Sequence, residues 1–225
     1  MPTARIVLFS IDHALADRQT AFELWAGEFA DKYADEVAAN CPEIEPTWLR
    51  VADRACSNRL EYFTLLRGRY GLDRSVDELH ADYRRRLAEL VPHRPEVTAA
   101  LTDMKDSGWA LGAITSGEPA TQIRKLHTAQ LDHLVDTVIT TGASDLCEPR
   151  GDLMRKAVED LDAVPDTEVW MVSDRATDVV GAHTAGLGAI WISRGRTLAP
   201  DDPQPESVCE TVVEAARWLA ASRPM

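Results

Sequence analysis

The spacing of apolar positions changes character along the chain. Residues 6 to 12, Ile-Val-Leu-Phe-Ser-Ile-Asp, form an apolar run that closes on two polar positions one residue apart. That is the pattern of a parallel strand buried on both faces, with its carboxyl end toward a ligand crevice. Residues 18 to 91 have almost no strand-like alternation. Their spacing predicts helices over Gln19–Val37, Pro46–Tyr70 and Val76–Val91, an all-helical insert. Phe22, Trp25 and Phe29 recur at helical spacing, as do Leu60, Phe63, Leu66 and Tyr70, and such stripes predict the core of a small bundle. Arg18, Trp25, Arg59 and Tyr62 are the insert's candidates for lining a cleft, although the pattern does not say which face they occupy.

The segment Val91-Pro-His-Arg-Pro95 reads as a hinge, followed by a helix over Val97–Asp106 that Gly108 ends. Strand and helix then alternate: strands at 109–116, 137–141, 168–173 and 188–193, helices at 119–133, 151–162, 176–185 and 207–222. Residues 198–206, with three prolines and two aspartates, form a surface loop before the last helix. Such alternation predicts an α/β doubly wound, Rossmann-like parallel sheet covered by helices on both faces. The core comprises residues 1–17 and 93–225, and residues 18–92 form a helical cap domain inserted after the first strand.

Composition narrows the partners. The 225 residues carry 24 Lys and Arg against 37 Asp and Glu, a formal charge of −13, which opposes nucleic-acid phosphates and anionic lipid surfaces. The expected partner is a small-molecule substrate or ligand, with no nucleic acid and no membrane, and with room for a protein partner or a homodimer. Cys41, Cys56, Cys147 and Cys209 form no Cys-x-x-Cys pair, which disfavours zinc and fits thiols in a reducing compartment. The first residues lack a basic region followed by an apolar stretch, and no apolar run reaches membrane-spanning length. A soluble, cytoplasmic protein is expected.

In a doubly wound sheet the functional groups gather where strands end: here Ser10 and Asp12, Thr115 and Ser116, Glu148 and Arg150 before a helix, and Asp174 and Asp178. Their order resembles the haloacid dehalogenase-like (HAD) hydrolase superfamily, in particular its helical-cap members of the phosphoglycolate phosphatase and β-phosphoglucomutase kind. The resemblance covers essentially the whole chain. It is strongest from Val169 to Gly188, where an apolar strand leads to Ser173-Asp174, three residues, Asp178, and then Gly181-Ala182 and Ala185-Gly186.

The resemblance implies roles residue by residue. The family's first motif is Asp-x-Asp-Gly-Thr, whose first Asp attacks phosphorus and binds magnesium and whose second is the general acid and base. Here it reads Ser10-Ile-Asp12-His13-Ala14, so three of the four defining residues differ. The second-motif hydroxyl that bonds the phosphoryl group is matched by Thr115, with Ser116 beside it. The third-motif Lys is replaced by Glu148, ahead of Pro149 and Arg150. The fourth-motif acids, which hold magnesium, are matched by Asp174 and Asp178, although Ser173 replaces the usual Gly.

These departures describe a degenerate active site. A serine must shed a proton of very high pKa before attacking, and its phosphate ester is far harder to hydrolyse than an acyl phosphate. Asp12, Glu148, Asp174 and Asp178 face no cation among the motif positions, so a phosphate dianion is expected to be repelled unless Arg150 or Arg175 moves in. Mg2+ held by Asp174, Asp178 and Asp12 is expected to bind weakly or not at all. The alternative for Asp174 and Asp178 is a plain role as helix-entry caps. His13, in place of glycine, is either a solvated loop residue or a supplier of the lost proton-transfer group, and a Ser10–His13 relay has little support because loop neighbours rarely align.

Two readings follow. In one, the scaffold is repurposed: Asp12, with Ser10 and His13 beside it as candidate catalytic residues and Thr115, Ser116 and Arg150 binding substrate, transfers protons without a phosphoryl intermediate. In the other, the protein is a pseudoenzyme, a pseudo-phosphatase that binds or regulates. A magnesium-dependent phosphatase ranks third.

Overall fold

The computed structural model describes residues 3–37, 41–56, 58–140 and 151–221. The chain divides into two compact units, Met1–Asp17 with His93–Met225, and Arg18–Pro92. Among the described residues no helix is long and apolar enough to cross a membrane.

The first unit is built on β1 (Thr3–Ser10). Ile6, Val7, Leu8 and Phe9 are each fully buried, which is why the strand carries apolar residues on both faces. It pairs in parallel with β2 (Trp109–Thr115) on one side and β4 (Ala163–Ser173) on the other. The remaining strands, β3 (Thr137–Thr140), β5 (Gly188–Ile192) and β6 (Ser207–Cys209), complete a six-stranded sheet of order β3-β2-β1-β4-β5-β6. Every pairing is parallel. The chain winds outward from β1 in one direction and from β4 in the other, so the carboxyl ends of these two neighbours flank the topological switch point, where α/β sheets bind ligands.

One face is covered by α7 (Gly151–Asp160) and α8 (Ala176–Ala185), whose Met154, Ala157, Val179 and Ala182 join Ile6, Leu8, Ile114 and Met171 in one cluster. The other face carries α5 (Pro95–Asp106) and α9 (Val212–Ala221), which pack on each other and on β2 and β5. The helix expected at 207–222 is therefore shorter. Ser207–Cys209 instead adds an edge strand, with Ile192 opposite Cys209 and Ser193 N donating to Cys209 O at 2.8 Å. Three residues of weak local preference take the backbone partners that the sheet edge offers.

The second unit holds α1 (Arg18–Tyr33), α2 (Pro46–Ala55), α3 (Arg59–Tyr70) and α4 (Val76–Glu89). The stretch 46–70 read as one helix is two. Cys56 and Asn58 are extended, and the Asn58 side chain accepts from Glu61 N at 2.9 Å, capping a new start. A capping box between Ser75 and Glu78 opens α4, and Gly71, at φ 63°, closes α3. Phe22, Trp25, Phe29, Tyr62, Phe63 and Tyr83 interlock with ring centroids about 5 to 6.5 Å apart. Trp25 and Tyr62 are thus core residues of the bundle, while Leu60, expected in the stripe, is exposed. Arg18 and Arg59 both bind Asp53, and Arg18 Nη2 also donates to the Tyr83 hydroxyl at 2.9 Å.

Two outcomes test these interiors. A Cβ at Gly188 would lie 2.5 Å from Cε3 of Trp170, a ring held edge-on to Trp218, so Gly188→Ala is expected to lower unfolding free energy by about 1–3 kcal/mol in denaturant titrations. His80 stacks on Phe63 with centroids 5.4 Å apart, and burial, together with Arg84 and Arg59 and against Asp77, lowers its pKa below the ordinary 6.5. The unfolded chain therefore takes up that proton first as pH falls. Stability should decline below about pH 6.5, and His80→Gln should flatten that part of the Tm-against-pH curve.

Candidate active site

The loop leaving β1 is tightly folded. His13 N donates to Ala16 O at 2.9 Å and Ala16 N to Ile11 O at 2.8 Å, while Arg94 Nη2 reaches Ala14 O at 2.8 Å and Leu15 O at 2.9 Å. This turn puts His13 at φ 71°, the left-handed region where glycine sits without cost and which histidine tolerates better than most residues. His13 is not left to solvent. Arg194 Nη1 lies 2.6 Å from its Nδ1, so the ring presents a lone pair there and carries its proton on Nε2.

Ser10 is buried, and its hydroxyl donates only weakly, at 3.5 Å, to the main-chain oxygen of Asp12. No Ser10–His13 relay is formed. Asp12 is different: its side chain is 32% exposed, and Lys125, whose side chain is only 5% exposed, donates through Nζ to Oδ1 at 2.6 Å. Lys125 comes from α6 (Pro119–Thr128), a helix started by Glu118, whose carboxylate accepts from Ala120 N and Thr121 N.

Thr115, at the end of β2, is buried with Oγ1 donating to Ser116 O at 3.3 Å; Ser116 is exposed. Gln122 Nε2 also donates to Ser116 O, at 3.0 Å, across Gly117. Gly117 has φ 112°, and a Cβ there would meet the Gln122 amide at 2.9 Å, so the backbone after β2 needs glycine. Glu148 and Arg150 lie outside the described residues.

At the end of β4, Ser173 Oγ donates to Asp178 Oδ2 at 2.6 Å, and Asp178 is fully buried in the first turn of α8. Asp174, also buried, receives Arg196 Nη2 on Oδ2 at 3.1 Å and on its main-chain oxygen at 2.7 Å, with Arg194 Nη1 at 3.9 Å. Burial raises the Asp174 pKa, and the Arg196 and Arg194 guanidiniums pull it back without cancelling the rise.

The magnesium ion implied by the resemblance needs near-octahedral oxygen ligands. In this arrangement Asp12, Asp174 and Asp178 each spend a carboxylate oxygen on a protein donor. Among the described residues no three His, Cys, Asp or Glu side chains are grouped to hold a metal. As arranged, the residues do not fit the ion.

The motif positions themselves supply no cation, but others reach the strand ends. Lys125, Arg194 and Arg196 bring positive charge to the strand ends from positions outside the family motifs. One of them left a trace in the sequence: Lys125 stands at helical spacing from Gln122 and beside Leu126 on the buried face of α6, a face that the buried C-cap Ala129 continues. Arg194 and Arg196 left none, because they reach Asp174 from the loop after a different strand.

A parallel sheet of this order, with a helical unit inserted after its first strand and acids at the ends of β1 and β4, defines a HAD-type α/β hydrolase fold. The haloacid dehalogenase-like hydrolase family model matches residues 11–186, and the chain belongs to that family. It is 34% identical over 113 residues to a phosphoserine phosphatase from Thermus thermophilus, covering 50% of this chain and 45% of that protein. It is 32% identical over 111 residues to the pyrophosphatase PpaX of Bacillus mycoides, covering 48% and 51%. The chain thus spans about half the length of these curated relatives. YfnB of Bacillus subtilis, whose structure is bound to magnesium, superposes with a TM-score of 0.75 at 18% identity over 96% of this chain and 98% of that one, a likeness of fold.

The Asp12–Lys125 pair predicts an asymmetry. Asp12→Ala strands a buried ammonium and is expected to cost about 3–5 kcal/mol. Lys125→Met leaves a carboxylate that water reaches and should cost about 1–3 kcal/mol. Urea unfolding of both variants checks this order.

Proposed function

We propose that this HAD-family protein acts on a small molecule through Asp12 as a proton-transferring carboxylate, with no covalent phosphoryl intermediate. The observation that carries this reading is the 2.6 Å pair between the water-accessible Asp12 and the buried Lys125. The Lys125 ammonium holds the Asp12 carboxylate in place, and that carboxylate accepts a proton from a substrate X–H bond whose electron pair stays on the substrate. Lys125, Arg194 and Arg196 then supply the positive field for the resulting anion. Ser10 is a poor nucleophile here: its hydroxyl faces a carbonyl, and among the described residues no base is placed to take its proton. Thr115 and Ser116 at the end of β2 are the residues proposed to meet the substrate, with Arg150 joining them.

The second reading, a ligand-binding pseudo-phosphatase, is favoured by one observation. One of the two fourth-motif acids, Asp174, is already paired with Arg196, which supports a strand end held closed without chemistry.

The readings separate in one experiment. A panel of small carboxylate and phosphate metabolites is incubated in D2O with and without magnesium and followed by proton NMR. Magnesium-independent conversion or deuterium exchange is expected, reduced about 10²–10⁴-fold by Asp12→Asn and nearly unchanged by Ser10→Ala. Turnover indifferent to Asp12→Asn, or phosphate release that requires magnesium and Ser10, would overturn the proposal. Saturable binding with no turnover would select the pseudo-phosphatase.

A further inference from the structure

The disagreement between the strand-end acids and a divalent cation has a specific author in the structure. Arg196 follows β5 and is held from several directions. Its own N and Nε donate to Ser193 O at 2.9 and 3.1 Å, Nη2 donates to both the main-chain and side-chain oxygens of Asp174, and the guanidinium lies 5.4 Å from the Trp191 ring centroid. Trp191 is fixed in turn, with Nε1 donating to Asp174 O at 3.0 Å. Ser193, the anchor, spends its hydroxyl on Glu210 at 2.6 Å. A half-exposed arginine tied at its backbone, Nε and Nη2 is not a passing surface pair, because the loop has already fixed most of the freedom that ordering the pair would otherwise remove.

We infer that Arg196 is a built-in replacement for the divalent cation at the end of β4: its guanidinium occupies the electrostatic place of the ion on Asp174 and excludes it. A planar guanidinium supplies fixed positive charge and two-point donation but has no coordination positions to give a substrate oxygen. Arg194, with Nη1 2.6 Å from His13 and 3.9 Å from Asp174, extends this charge toward the β1 loop. A hard cation would need the Asp174 oxygen that Arg196 holds, so the two are alternatives on one carboxylate. The inference concerns Asp174 and does not depend on what Asp12 does.

The test is a Mn2+ titration of the full chain, read by the loss of free-ion electron paramagnetic resonance and by the shift in Tm. The wild-type protein is expected to show no saturable site at millimolar Mn2+. Arg196→Gln and Arg196→Met should each gain a site at least tenfold tighter than any wild-type binding, with a Mn2+-dependent rise in Tm, and adding Asp174→Asn should remove it. Circular dichroism identifies which variants fold. Wild-type Mn2+ binding that Asp174→Asn abolishes overturns the inference, whatever the variants do. So does a folded Arg196 variant that gains no site. A failure of the Asp12 mechanism would leave all of these outcomes unchanged.

Discussion

The position of β1 constrains everything else. Among the described residues it is the only segment that pairs in parallel with strands on both sides while the chain departs from it into a separate helical unit. Ile6 to Phe9 are fully buried because helices cover both faces, and that burial fixes the register that brings Phe9 beside Ala113 and Val172. With the register fixed, the ends of β1, β2 and β4 lie side by side, and their polar residues meet whatever their identities. A one-residue slip would reverse every side chain, so the position of Ser10 follows from the packing of the four residues before it.

The site keeps the family's scaffold, and its strand-end acids have partners within the chain. Carboxylates of the first and fourth motifs remain, but each is answered by a cation or hydroxyl of the same chain: Lys125 on Asp12, Arg196 on Asp174 and Ser173 on Asp178. Buried acids without such partners would carry a large desolvation cost. Internal donors thus meet these carboxylates, and His13, at φ 71° beside Arg194, belongs to the same arrangement. Membership of a hydrolase family therefore defines the scaffold, while the chemistry rests on the particular side chains now at the strand ends.

Much of this was legible in the residue pattern. The unbroken apolar run before Ser10, the helical spacing of residues 18 to 91 and the strand–helix alternation after 109 each follow from local periodicity, which reflects burial directly. The errors fall where local preference is weak. Ser207–Cys209 became an edge strand because β5 offered backbone partners, and the stretch 46–70 split because Asn58 could cap a fresh helix.

The sequence by itself determined the scaffold and the identities of its strand-end residues: a doubly wound sheet with a helical insert, Ser10 closing the first apolar run and Glu148 ahead of Pro149. Only the tertiary structure decided what answers the acids that remain. Lys125 lies 113 residues from Asp12 in the chain and Arg196 22 from Asp174, and nothing periodic links them. Burial repeats along a strand or helix and can be read from spacing, whereas an ion pair requires only that two groups meet in space, and that meeting is set by how β1, β4, α6 and the loop after β5 converge.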